Sequence, residues 1–144
     1  MARTRPVHVP KMDPSDMPTL SPDIYSSMGN EGIFRMLSDF YRRLEASSIR
    51  RLFTEDMQAA SRRSAAFYVQ LLGGPRMYNE RYGAPMMRRR HLPFDIDEPA
   101  RVVWRDCFYD TLENAEKDYG FPAAHIEAFK EFIERFSKWM VNAT

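Results

Sequence analysis

The sequence has one cysteine, Cys107, in 144 residues. A single thiol excludes an internal disulfide framework and is typical of a protein from a reducing compartment. A zinc site is not expected either, because cysteine and histidine form no cluster. His8 lies in a proline-rich stretch and His125 lies beside Ile126 on the last predicted helix, so we expect neither to be a metal ligand. With 44% hydrophobic and 13% aromatic residues, the chain can form one core without such crosslinks.

Long apolar runs are also absent. No run approaches the roughly 18 apolar residues that span a bilayer, and the first twenty residues lack the apolar core of a secretory signal. These absences predict a cytoplasmic protein that does not associate with membranes. Prolines at 6, 10, 14 and 18 are incompatible with a helix. We therefore expect residues 1–20 to be an extended or disordered arm and residues 21–144 to be one domain.

Lysine is missing from residues 41–90, which hold eleven arginines and four acidic residues. Residues 91–144 hold six basic and eleven acidic residues, so the net charge of +1 conceals a basic middle and an acidic end. Arginine matches the geometry of carboxylate and phosphate better than lysine does. The basic middle therefore indicates an anionic partner, which is either nucleic acid or a small anionic ligand.

The two-residue alternation of a half-buried strand is absent after the arm. Apolar residues instead recur at three- and four-residue spacing, which is typical of amphipathic helices. Thr54 is expected to begin one helix, and Asp97 to cap a long helix that ends at Gly120. The predicted helices lie at about residues 22–29, 33–44, 54–72, 86–91, 97–119 and 122–140. The predicted fold class is all-α.

Four polar residues stand out against this helical pattern. Tyr41, Ser64 and Trp104 lie on faces that should be apolar, where each has an ordinary explanation. These are a core tyrosine bonded to a carbonyl, a serine bonded back to its own helix and a core tryptophan. His91 ends an arginine run, where histidine is commonly solvated or stabilises a helix end. Together, however, they can place an imidazole opposite three hydrogen-bond donors in an apolar shell, as a haem pocket requires.

The stretch LLGGPRMYNERYGAPMMRRRHLPFDID, followed by VVWRDC, closely resembles the truncated haemoglobins, specifically their second group. In that group Gly-Gly-Pro, Tyr, Gly-x-Pro, Arg-x-Arg-His and Pro-Phe recur in this order, with a Trp shortly after the His. The resemblance covers roughly residues 25–142. It implies a shortened globin fold, in which a two-over-two helical sandwich surrounds haem b and binds O2, CO and NO.

The resemblance also implies roles for individual residues around the haem. His91 is the implied proximal iron ligand. Arg63 and Arg90 are the implied partners of the haem propionates, with Tyr78 as a further candidate, because arginine binds carboxylates in fork geometry. The other residues implied to contact the haem are Phe53, Phe67, Met87, Phe94 and Trp104.

On the opposite side of the haem, the resemblance implies that Tyr41 and Trp104 donate hydrogen bonds to the bound gas. Ser64 stands where an apolar residue or glutamine is usual, so it is a candidate third donor. Ala60 falls where many globins have a distal histidine, and we therefore expect no histidine at the sixth coordination position. Charge-assisted hydrogen bonds are worth roughly 1.5–3 kcal/mol. We accordingly expect slow O2 dissociation, which suits gas capture, redox chemistry or NO and oxygen detoxification rather than delivery.

Several functional classes stay open on the sequence alone. A haem-based gas sensor that acts through a partner protein would share these residues, and the arm is its only support. Peroxidase-like or NO dioxygenase activity is undecided, and a reductase is a candidate partner. A nucleic-acid binder that uses the basic middle and a haem-free helical interaction module would both be indifferent to haem. Our main interpretation is a haem-binding globin that does not bind nucleic acid and is either a monomer or a weak homodimer.

Overall fold

The computed structural model describes residues 5–10 and 17–144, which form seven α-helices and two short 3-10 turns. The helices are α1 (Asp23–Glu45), α2 (Met57–Leu71), α3 (Met77–Tyr82), α4 (Met87–His91), α5 (Glu98–Leu112), α6 (Ala115–Tyr119) and α7 (Ile126–Met140). The described residues contain no strand, so the all-α prediction is confirmed. Within the same residues, no helix is long and apolar enough to cross a membrane.

The start and interruption of the first two long helices follow from local chemistry. Gly29 adopts φ 64° and ψ −179°, which divides α1 at the position where the first predicted helix ends. The prediction that α2 begins at Thr54 is wrong. Asp56 is the N-cap instead, because its carboxylate accepts a hydrogen bond of 2.7 Å from the backbone N–H of Gln58.

The long helix predicted from Asp97 to Gly120 is two helices. Asp97 caps the first as expected, accepting a hydrogen bond from the N–H of Ala100 at 2.9 Å. The chain leaves the helix after Leu112, and α6 follows, ended by Gly120 in the left-handed conformation. The break turns Ala115 and Tyr119 onto α1, where both are buried.

Two helix pairs form the framework, because α1 packs on α2 and α5 packs on α7, while α1 also contacts α5. Aromatic rings join the pairs at their centre. The ring of Phe40 stacks on that of Phe108 with centroids 4.2 Å apart, and Phe108 meets Phe129 at 5.5 Å. All three side chains are fully buried. These ring contacts therefore join α1 to α5 and α5 to α7.

A buried cation also connects α5 to α7. The Arg101 side chain is 4% exposed, and its guanidinium bonds Glu98 at 2.6 and 2.7 Å, Glu134 at 2.9 Å and Ser137 at 3.2 Å. Buried charge is tolerated only when it is paired in this way. Burial alone would raise the pKa of the Glu134 carboxyl, but hydrogen bonds from Arg105 and Arg101 hold that pKa below its ordinary value.

Replacing Glu134 with Gln should therefore destabilise the protein in a pH-dependent way. We expect the free energy of unfolding at about pH 7 to fall by about 1–3 kcal/mol, because Arg101 loses a charged acceptor. A lowered pKa means that the contribution of Glu134 is complete above 4.5, the ordinary carboxyl pKa, and is lost as pH falls through the folded-state pKa. Urea unfolding at about pH 7 and about pH 3 should show the difference from wild type shrinking at the lower pH.

Glu131→Gln is the matched control for this measurement. Glu131 lies on the same helix but is half exposed, and its ion-pair partner is Arg135. Exposed ion pairs contribute little, so this variant should stay close to wild type at both pH values. If Glu134→Gln lowered the free energy of unfolding equally at both pH values, the assigned role of the carboxylate would be contradicted.

Candidate functional site

A cavity of about 530 Å³ lies beside α2, α4 and α5. Its volume is in the range of small-molecule and cofactor sites. The structure brings every residue named in the sequence analysis as a site candidate to its wall. Those residues are Tyr41, Phe53, Ala60, Arg63, Ser64, Phe67, Tyr78, Met87, Arg90, His91, Phe94 and Trp104.

His91 is the last residue of α4, on the wall that this short helix provides. Its Nδ1 lies 2.6 Å from the carbonyl oxygen of Met87, which is four residues earlier. A carbonyl only accepts hydrogen bonds, so Nδ1 carries the proton and Nε2 carries a lone pair. Burial lowers the pKa of the imidazole, although the bond to Met87 acts in the opposite direction. Nε2 has no hydrogen-bond partner among the residues that the structure describes, and it is available as a ligand.

Tyr41 from α1, Ser64 from α2 and Trp104 from α5 line the same cavity. Burial raises the pKa of the Tyr41 phenol, and a hydrogen bond from Ser64 partly offsets this effect. The Tyr41 and Ser64 hydroxyls are both possible donors, and both residues line the cavity. The Tyr41 ring meets Phe53 edge-on at 5.9 Å, and Trp104 meets Phe40 edge-on at 5.4 Å, so both rings are packed in place.

Two of the three arginines on the cavity wall, Arg63 and Arg90, have different partners. Arg63 forms a two-point ion pair with Glu55, with one N–O distance of 2.6 Å. Both side chains are about 40% exposed (40% and 37%), so the pair is easily exchanged for another carboxylate. Arg90 donates to the carbonyls of Pro85, Tyr82 and Ala84 at 2.7, 3.0 and 2.9 Å. It therefore fixes the loop that leads into α4.

Tyr68 also lines the cavity, although no sequence pattern singled it out as a site residue. Its side chain is 2% exposed, and its hydroxyl has no hydrogen-bond partner in the described part of the chain. Burial, together with the nearby Tyr41, raises its pKa well above the ordinary value. Helical periodicity places this tyrosine on an apolar face, but it does not reveal whether the hydroxyl has a hydrogen-bond partner. An unsatisfied buried hydroxyl costs about 1–3 kcal/mol.

Comparison with known proteins decides the family. A model of the bacterial-like globins matches residues 23–142. The chain is 31% identical over 121 residues to the group 2 truncated haemoglobin YjbI of Bacillus subtilis (strain 168), covering 83% of this chain and 89% of that protein. The chain belongs to the bacterial-like globin family. The resemblance proposed from the Gly-Gly-Pro to Trp stretch is therefore confirmed.

Solved structures support the same family assignment. Phosphate-bound Hell's gate globin IV aligns with a TM-score of 0.80 at 32% identity, covering 88% of this chain and 79% of that one. The truncated oxygen-avid haemoglobin of Bacillus subtilis aligns with a TM-score of 0.74 at 30% identity, covering 82% and 98%. The globin thus has the two-over-two fold of the truncated globins, and proteins of this family bind haem b and diatomic gases.

The side chains of this globin's cavity fit a haem on their own evidence. Phe53, Phe67, Met87 and Phe94 supply apolar walls, and the unpartnered Nε2 of His91 supplies a nitrogen ligand. No group of three or more metal-ligating side chains that could hold a bare ion occurs among residues 5–10 and 17–144. A metal held mainly by an organic ring therefore suits the cavity better than a free ion.

The unpartnered hydroxyl of Tyr68 gives a stability prediction for the haem-free globin. Tyr68→Phe removes an unsatisfied polar group without opening a large cavity, so the free energy of unfolding should rise by about 1 kcal/mol. Tyr119→Phe is the matched control, because the Tyr119 hydroxyl donates to Asp39 at 2.5 Å. That variant should lose about 1.5–3 kcal/mol, since its bond is to a charged group. Denaturant unfolding measures both, and equal losses would show that the Tyr68 hydroxyl is satisfied in solution.

Proposed function

We propose that this globin binds O2, CO and NO at a haem held by His91, and that it captures or converts the gas rather than delivering it. The observation that carries the proposal is the pairing of two groups in one cavity. A neutral imidazole with a free Nε2 lines it from α4, and hydrogen-bond donors line it from α1, α2 and α5. An interaction module would have no reason to keep these polar groups inside an apolar cavity.

On the His91 side, the chain fixes the protonation and orientation of the imidazole. Haem, when bound, would supply an iron centre that His91 can hold through a nitrogen atom and that can bind a gas. The carbonyl of Met87 keeps the imidazole proton at Nδ1, which leaves the Nε2 lone pair for coordination. Because the pKa of His91 is lowered, the imidazole is neutral at physiological pH.

At the rim, we propose that Arg63 and Arg90 bind the propionates, with Tyr78 beside them. Arg63 would exchange Glu55 for a propionate, which replaces one carboxylate by another in the same fork geometry. Arg90 lies over the ring of Tyr78, with its guanidinium carbon 5.6 Å from the ring centroid. Burial raises the pKa of Tyr78, and the charges of Arg90 and Arg63 both act against this rise, so both cations lie near its ring.

On the gas-binding side, we propose that Tyr41 and Trp104 donate directly to the ligand. We infer that Ser64 acts mainly through Tyr41, because both residues line the cavity. Burial raises the pKa of the phenol, and Ser64 partly offsets this rise, as a donor to the phenol oxygen would. Ala60 is small and carries no ligating atom, so it leaves the sixth position open to the gas. A hydrogen bond that is charge-assisted contributes roughly 1.5–3 kcal/mol, or one to two decades in affinity. The Bacillus subtilis relative is described as oxygen-avid, which supports slow release here.

A gas sensor is the second candidate function. His8, in the predicted arm, accepts a hydrogen bond from Arg88 of α4 and donates one to Asn142. These contacts join the arm to the helix that carries His91.

Within the main proposal, a cytoplasmic location fits the single thiol of Cys107. A reductase as electron donor and a monomeric or weakly dimeric state belong to the same proposal.

The gas-binding residues can be tested by the rate of O2 release. Tyr41→Phe and Trp104→Phe should each raise the O2 dissociation rate about 10- to 100-fold, because each removes one donor. Ser64→Ala should accelerate release in the presence of Tyr41 but have little further effect in Tyr41→Phe, since it acts through the phenol. Stopped-flow displacement of O2 by CO measures the O2 dissociation rate of wild type and of the three single variants and the double variant.

Trp139→Phe is the control, because Trp139 is an aromatic residue outside the cavity wall. It should leave the O2 dissociation rate unchanged. The proposal fails if Tyr41→Phe and Trp104→Phe release O2 at the wild-type rate.

A further inference from the structure

We propose that Arg88 and Asn142 are positioning residues for His91, which tie α4 to the C-terminal residues 141–144 and to the N-terminal residues 5–10. We call these two side chains with His8 the proximal clamp. The inference rests on the proposed role of His91 and adds residues outside the cavity wall. It also gives the N-terminal segment a function in the globin's chemistry.

Asn142 is the centre of the proximal clamp. It is 0% exposed, and its side-chain amide donates to the carbonyl of His91 at 3.2 Å. Its side-chain oxygen accepts from the N–H of Ile96 at 2.9 Å, and its backbone N–H donates to the Ile96 carbonyl at 2.9 Å. Its own carbonyl accepts from the N–H of His8 at 2.8 Å. One buried residue thus joins the end of α4, the loop after it and the N-terminal segment.

Arg88 holds α4 from the side that does not line the cavity. Its guanidinium donates to the carbonyls of Trp139 and Val141 at 2.9 and 2.8 Å and to the carbonyl of His8 at 2.7 Å. Met87 and His91, four residues apart on one helix face, line the cavity, and Arg88 does not. Three carbonyls around one planar guanidinium is an arrangement that a lysine ammonium does not match.

The outer end of the N-terminal segment is fixed as well. Arg5 donates to the carboxylate of Asp97 at 3.1 Å and to a backbone oxygen of Thr144 at 3.0 Å, and its N–H bonds Asp95 at 3.3 Å. Asp97 also caps α5, the helix that carries Trp104. Residues 5–10 therefore connect the helix of His91 to the start of the helix of Trp104.

The need for the proximal clamp follows from the length of α4. This helix has only five residues. The residue before it, Met86, has φ 42°, a left-handed conformation that residues other than glycine rarely adopt. A helix of one turn is not stable in isolation. The orientation of His91 must then come from tertiary bonds. Arg88 anchors α4 through its own side chain, and Asn142 bonds the carbonyl of the last α4 residue.

The test compares Arg88→Ala with Arg89→Ala in the haem-loaded protein. Arg89 is the neighbouring residue on α4 and is exposed, so both variants make the same change in charge and helix propensity. Resonance Raman spectroscopy of the ferrous protein reports the iron–histidine stretching band, which a purely structural role would leave in place. We expect Arg88→Ala to shift and broaden this band and to lose haem to excess apomyoglobin roughly tenfold faster. Arg89→Ala should match wild type in both.

A second readout needs no haem. Amide hydrogen exchange in α4 of the haem-free protein should be faster in Arg88→Ala than in Arg89→Ala, because the helix opens locally when its anchors are lost. If Arg88→Ala does not fold, Arg88→Lys and a deletion of residues 1–10 replace it. Each should still shift the iron–histidine band from its wild-type position, because each removes part of the proximal clamp.

The proximal clamp is refuted if the variants that fold keep the wild-type iron–histidine band and wild-type exchange in α4. Failure of the proposed function looks different. In that case His91→Ala itself would leave the haem spectrum unchanged, whatever Arg88 does. A normal spectrum that depends on His91 but is insensitive to Arg88 and to residues 1–10 therefore overturns only this inference.

Discussion

The hydrogen bond from His91 Nδ1 to the Met87 carbonyl is the interaction on which the site depends. It exists because the two residues are four positions apart in a helix just long enough to bring them together. The bond keeps the imidazole proton at Nδ1 and leaves Nε2 as the ring nitrogen able to coordinate. Without the helical turn of α4, the same arginine-rich stretch would present a histidine with no fixed tautomer or direction.

The rest of the molecule can be understood as support for that turn and for the wall opposite it. The aromatic contacts of Phe40 and Phe108 and the buried ion pairs of Arg101 hold the helix pairs around the cavity. The opposite wall then carries polar groups at a cost in stability, most plainly at the hydroxyl of Tyr68. Such a cost is typical of functional sites, because their side chains are placed for binding or reaction and not for the best packing.

The sequence predicted the features that have a local signal. Strong apolar periodicity identified the long helices, and the Gly-Gly-Pro to Trp stretch identified the family and hence the candidate site residues, although not Tyr68. The start of α2 and the break before α6 were mispredicted, because Asp56 outcompetes Thr54 as a cap and because tertiary packing turns Ala115 inward. The acceptor at Met87 is a backbone carbonyl, and Asn142 lies beyond the last apolar repeat, so neither had a pattern to reveal it.

The most direct measurement is rescue of a His91→Gly variant by free imidazole, followed by visible spectroscopy of the ferrous protein. We expect wild type to show a five-coordinate, histidine-ligated haem, and His91→Gly to lose that spectrum and regain it when imidazole is added. His125→Gly, which removes a histidine outside the cavity wall, should match wild type. A His91→Gly protein with the wild-type spectrum before imidazole is added would contradict the account, because another residue would then hold the iron.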